Sequence, residues 1–279
     1  MVMELKKITD WLDKTLKVAD FDDVSNNGLQ IDRSSVSEIS QSQITNLKLP
    51  NHPISTVAFA VDASVRAVEA AAKAGAQLLV VHHGISWGGG IRRLTGGVGR
   101  VIRAAHAANL AVYACHLPLD AHPTLGNNAQ LAKLLGLRRI RPAFSYHGNV
   151  IGLVGEGLKV RVFEGLKVRA FEGSNPQTFE LSNLRTFEPS NPQTLLVGVC
   201  SGGAGEFAEE AKNLGCDLYV TGEASWGDVI AAENCGMEML CLGHYETEVF
   251  GVRAVAGAMR KALKLKTVDL TVELHSSPN

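Results

Sequence analysis

The chain has 279 residues, 46% of them hydrophobic and 20% charged, enough to bury two cores rather than one. Its 27 basic and 28 acidic side chains leave a formal charge of −1, so no net field draws nucleic acid or an anionic membrane to it, and neither is an expected partner. Five cysteines, an odd number with no Cys-x-x-Cys pair, read as reduced and buried, which excludes a disulfide framework.

The first element in chain order is an amphipathic helix over Met3–Val18. Acidic residues follow closely, so this start is not a signal sequence. No apolar stretch reaches membrane-spanning length, and a cytoplasmic protein is expected. Short apolar runs then read as buried strands at Val57–Val61, Leu78–Val81, Leu110–Cys115, Val150–Val154, Leu195–Cys200, Leu218–Val220 and Met239–Leu242, with an alternating run at Thr267–Val272. Helical patterns lie between them at Val65–Ala74, Val98–Ala108, Ala129–Leu135, Glu206–Leu214, Val229–Glu233 and Glu246–Leu263, with Ser64 and Asn128 as expected N-caps. Such alternation predicts an α/β fold of sheets flanked by helices.

Two segments interrupt the pattern. Residues 34–53 are rich in Ser and Asn, and residues 155–194 fall into eight-residue units such as Phe163-Glu-Gly-Leu-Lys-Val-Arg-Ala170. A period of eight suits neither a helix nor a coiled coil, and the Ser-Asn-Pro pieces favour turns and extended backbone, so both segments read as tolerated surface inserts, with a partner-binding arm as the alternative for the octad segment. The halves around them are alike: a shift of 139 residues sets Lys73–Gly88 on Lys212–Gly227, and a shift of 128 sets His116-x-x-x-Asp120 on His244-x-x-x-Glu248. Two similar domains follow, residues 1–140 and 141–279, each a mixed sheet flanked by helices.

Chemistry concentrates where strand-like runs end. Val80-Val81-His82-His83-Gly84, Cys115-His116-Leu117-Pro118-Leu119-Asp120 and Gly243-His244-Tyr245-Glu246-Thr247-Glu248 supply imidazoles and carboxylates from three distant places. Imidazole suits zinc, iron, nickel or manganese, and carboxylates can bridge two such ions. His82, His83, Asp120, His244 and Glu248 are too many for one open catalytic zinc and too few to saturate two ions, which predicts a dinuclear centre at the domain junction with positions left for water or substrate. His244 and Glu248, four apart at a helix start, share one face. His116 is expected to contact substrate or move a proton, since imidazole takes either protonation state near neutrality. Asp62, at the end of its strand, is placed to orient a ligand histidine. His106, His122, His147 and His275 read as ordinary hydrogen-bonded residues.

Ser201-Gly-Gly-Ala-Gly205 opens a helix after a strand, but it lacks both the dinucleotide fingerprint and the P-loop Gly-Lys-Ser/Thr, so it reads as a tight turn. Gly88–Gly90 and Gly96–Gly99 flank Arg92 and Arg93 in a loop beside the double histidine, where the arginines either meet an anionic substrate or are simply solvated.

These motifs resemble the cyclohydrolase type 2 homologue family, also called Nif-three-like. The match runs through Asn27-Gly28-Leu29-Gln30, the double histidine with Gly84-Ile85-Ser86-Trp87-Gly88, His116–Gln130, Thr221-Gly222-Glu223 and Gly243–Glu248. The resemblance implies a dinuclear site built from His82, His83, Asp120, His244 and Glu248 in a two-domain α/β subunit that forms a ring-shaped homohexamer. Trp226 stands where many members carry a histidine after the Thr-Gly-Glu segment, so a role of that histidine does not carry over. The expected function is a metal-dependent hydrolase using two divalent ions on a small polar or nucleotide-like substrate, the family name implying GTP ring opening. The alternative is a non-catalytic metal-binding scaffold that presents the site in the ring.

Overall fold

All seven apolar runs form strands, and the computed structural model, which describes residues 1–33, 53–158 and 194–275, orders them into two five-stranded sheets. The first contains β2 (Gly28–Ile31), β4 (Thr56–Asp62), β5 (Leu78–His83), β6 (Ala111–Ala114) and β12 (Lys266–Asp269), in the order β12-β4-β5-β6-β2. Strands β4, β5 and β6 are parallel, as crossovers through helices Val65–Lys73 and Gly96–Ala107 require. At the edges β12 joins β4 in parallel and β2 joins β6 antiparallel. Alternate residues Ala58, Ala60, Leu79, Val81, Val112 and Ala114 form one face of this sheet and pack with Val68, Ala71, Val101 and Ala105 of the two helices. The small strand residues let the helices approach closely. Ser64 caps the first helix, its hydroxyl accepting from the Ala67 N–H at 3.1 Å.

The second sheet runs β11-β10-β9-β8-β7, from β7 (Arg138–Tyr146), β8 (Asn149–Leu158), β9 (Thr194–Gly203), β10 (Leu218–Glu223) and β11 (Met239–Cys241). Here β9, β10 and β11 are parallel, connected through helices Ala208–Asn213 and Trp226–Cys235, while β7 and β8 are antiparallel. Leu153, Val197, Val199, Leu218 and Val220 pack with Leu131 of helix Asn127–Leu134 and with Leu135, its C-cap. Each such fully buried aliphatic side chain contributes roughly 1.5–3 kcal/mol. The remaining strands, β1 (Met3–Glu4) and β3 (Pro53–Ile54), pair antiparallel with each other.

The chain divides into two compact units, Met1–Leu119 with Val252–Asn279, and Asp120–Gly251. A split at residue 140 differs from this because Lys266–Asp269 pairs with β4 and returns the C-terminal segment to the first unit. Both units repeat one plan, three parallel strands joined by two helices. Their equivalence through the first helix, its turn and the next strand is 140 residues rather than 139: Gly75 and Gly215, both at positive φ, follow the helices, and Leu78–His83 matches Leu218–Glu223. The identical Ser-Trp-Gly triplets after the strands had set the shift one residue short.

Three other expectations change. Strand β7 was missed, and Thr267–Val272 ends in a short helix, Thr271–His275. Asn128 lies inside its helix, where Gly126 is the N-cap. The octad segment and the Ser- and Asn-rich segment lie outside the described residues except at their ends, residues 155–158 closing β8, Thr194 opening β9 and Pro53 opening β3. No helix among the described residues is long and apolar enough to cross a membrane.

Candidate metal centre

In the first unit, the parallel strands deliver their side chains at one set of ends, the carboxyl ends, where open α/β sheets place their ligands. His82 and His83 close β5, Asp62 closes β4 opposite His83, and His116 follows β6. His82 is fully buried, its Nδ1 2.9 Å from the Cys115 carbonyl. His83 Nδ1 lies 2.9 Å from Asp62 Oδ1, and His116 Nδ1 lies 2.9 Å from Asp23 Oδ1. All three partners are oxygen acceptors, so each Nδ1 donates and the lone pair of a neutral ring sits on Nε2. The ligand atoms of His82, His83 and His116 lie within 4.8 Å of one another.

Asp23 was not expected, yet it organises one side of this cluster. Its buried carboxylate accepts from His116 Nδ1, from the Ser25 and Leu117 N–H groups at 3.0 and 2.9 Å, and from the Asn27 side-chain amide at 2.8 Å. Burial alone would raise its pKa. The hydrogen bond and charge of His116, with the Ser25 and Asn27 donors, outweigh burial and hold it at about 2, down from 3.8.

The second unit carries Asp120, His244 and Glu248. Asp120 is buried in helix Leu117–Ala121, and its Oδ1 accepts from Asn127 Nδ2 at 2.8 Å and Ser201 Oγ at 3.1 Å. Asn128 fastens the same corner, accepting from the Ser201 N–H at 2.7 Å and donating to the Ile151 carbonyl at 2.8 Å. His244 opens helix His244–Leu263, so Glu248 falls one turn on, with Oε1 3.2 Å from His244 Nε2. Glu223, closing β10, holds His244 Nδ1 at 2.8 Å, as Asp62 holds His83. The carboxylates of Asp120 and Glu248 also lie within 4.8 Å of each other.

Donor chemistry and local backbone both fit a divalent ion. Imidazoles fixed through Nδ1 and buried carboxylates are the usual set for borderline divalent ions, with carboxylates or carbonyls orienting the ligand histidines. Ser201–Gly205 is not the expected tight turn, since Ser201–Gly203 end β9 with a shift in register against β10, and at Gly202, φ +69°, a Cβ would come within 2.5 Å of Glu248 Oε1 and 3.5 Å of His244 Nε2. The left-handed backbone favours glycine here, and any larger residue would press on the Glu248 carboxylate. These clusters are consistent with one or two metal sites in each chain.

Trp226, in the place of the family histidine, is the exposed first residue of its helix, behind a Ser225–Asp228 capping box. His122 accepts the Thr124 and Leu125 N–H groups through Nδ1, in keeping with its ordinary reading. Of the cysteines, Cys115, Cys200 and Cys216 are buried, Cys235 is partly buried and Cys241 is exposed. Burial pushes the Cys200 thiol well above the usual range.

A duplicated α/β plan with imidazole and carboxylate clusters at its strand ends defines a metal-binding protein with residue clusters suited to a dinuclear site. The chain belongs to the Duf34/NIF3 (NGG1p interacting factor 3) family, whose profile matches residues 3–279. A relative from Pyrococcus horikoshii, named a GTP cyclohydrolase 1 type 2 homolog, is 34% identical over 266 residues, covering 95% of this chain and 97% of its own. One of the same name from Deinococcus radiodurans is 36% identical, covering 88% and 84%. Among solved structures, the protein ybgI, described as of unknown function, superposes with a TM-score of 0.75 at 25% identity, covering 99% of each chain. A protein from Thermus thermophilus gives 0.74 at 26% identity, again covering 99% of each.

Proposed function

We propose that the chain is a metal-dependent hydrolase in which His82, His83, Asp120, His244 and Glu248 hold two divalent ions, and which acts on a small polar or nucleotide-like substrate. The observation that carries this reading is the repeated Nδ1 anchoring. Cys115 O, Asp62 and Glu223 each fix one of the three ligand histidines, which leaves Nε2 as the coordinating atom in every case. The names of the relatives, GTP cyclohydrolase 1 type 2 homologs, support a substrate of the nucleotide class.

Divalent ions at such a donor set supply Lewis acidity, which acidifies water and stabilises charge developing on an attacked group. The protein's own contribution is orientation and proton movement. Asn127 and Ser201 hold the Asp120 carboxylate in one rotamer, and Glu223 with Gly202 at the end of β9 sets the His244–Glu248 pair. His116 stands beside the ligand imidazoles with Nδ1 tied to Asp23, so its Nε2 can take a proton from water or return one to a leaving group.

The test is a screen of metal-loaded protein against nucleotides and phosphoesters, with His116→Ala beside the wild type. The variant is expected to keep its metal and lose roughly two to four orders of magnitude in rate. Full activity of His116→Ala would remove its role; no turnover by metal-replete wild type would leave the scaffold as the better reading.

A further inference from the structure

We infer that Trp87 is the stacking wall for a planar heteroaromatic base that carries an anionic group, placing the base of a nucleotide-like substrate against the imidazoles of the first unit. This rests on the hydrolase reading and adds to it the residue that recognises the substrate. Trp87 is 38% exposed. Its one polar atom is already used, because the indole Nε1–H donates to the Gly84 carbonyl at 2.9 Å. What it offers outward is therefore apolar ring surface.

The indole also stands beside the chemistry. Its ring centre lies 5.1 Å from that of His116, at an interplanar angle of 74°, and 6.0 Å from that of His83. Its backbone is pinned on both sides: Trp87 bridges to Ser25, the Gly88 N–H donates to the Val24 carbonyl at 2.6 Å, and Gln30 Oε1 accepts the Ile85 N–H at 2.7 Å. A ring fixed in this way loses little entropy when a ligand stacks on it, which is how a preorganised aromatic wall gains affinity. Beyond it the loop carries exposed Arg92 and Arg93, neither of which is ion-paired among the described residues. Guanidinium groups in that loop suit a phosphate attached to the stacked base.

Calorimetric titration of the metal-loaded full chain with guanosine monophosphate, and separately with ribose 5-phosphate, tests the inference. Trp87→Ala should weaken the nucleotide by about tenfold or more, the effect of losing one base-aromatic stack, and leave ribose 5-phosphate unchanged. Trp87→Phe should retain most of the affinity, yet lose the quenching of tryptophan emission that the nucleotide causes in the wild type. Trp226→Ala, which removes a tryptophan 77% exposed, should change neither. Metal content is measured on the same samples. Wild-type affinity in a metal-replete Trp87→Ala protein would overturn the inference and leave the metal reading standing. So would a loss shared by Trp87→Phe and accompanied by loss of metal, or a change of molecular mass by light scattering with nucleotide affinity intact. Absence of metal from the wild type is the separate failure of the hydrolase reading.

Discussion

Replacing Asp23 by Asn isolates the group that holds His116. The carboxylate is 2% exposed and accepts four hydrogen bonds, and its pKa falls from 3.8 to about 2. At about 1.4 kcal/mol for each tenfold change in proton affinity, this depression corresponds to about 2 kcal/mol of stability. Because the folded-state pKa is the lower one, the contribution is complete above about pH 4 and drains away as pH falls towards 2. Asp23→Asn should therefore be less stable than wild type by about 2 kcal/mol at pH 5, and by about half that at pH 3. Urea unfolding of both proteins at the two pH values, with chelator present so that bound metal adds nothing, reads the difference directly. A gap of equal size at both pH values would refute the reasoning, since the loss would then come from shape and not from the carboxylate charge.

Gly202→Ala should weaken metal binding by about tenfold or more in a chelator competition while the protein still folds; left-handed backbone costs an alanine roughly 1–2 kcal/mol, and the new Cβ displaces Glu248. Unchanged affinity would show that Gly202 does not position that carboxylate. Replacing residues 159–193 by an Asn-Gly turn should leave the melting temperature and metal content at wild-type values, because Leu158 and Thr194 are already paired neighbours and two residues can join them. A large drop in the melting temperature would make the octad segment part of the folded structure.

His82 and His83 were legible because they close an apolar run, where a polar residue is conspicuous, whereas Asp120, His244 and Glu248 lie in the helices that follow two other such runs. Asp62 was legible for the same reason, and it does hold His83. Asp23 was not: its partner is 93 residues away and its loop has no periodicity to mark it. Glu223 stood inside a recognised block, but its role depends on a histidine that a different element brings to it. Strand β7 was hidden by Pro142 and by positive φ at Arg139 and Phe144, which interrupt any alternation. The return of Lys266–Asp269 to β4 is a long-range pairing, and hydrophobic pattern says nothing about which neighbour a strand will choose.

The central claim is most directly tested by counting metal. Elemental analysis of the purified full chain should find about two divalent ions per subunit in the wild type, the number that five shared ligands support. Content should be lower in His82→Ala and in Glu248→Ala, with cooperative thermal unfolding retained in both. No transition metal in the wild type after reloading, or undiminished content in both variants, would contradict the account.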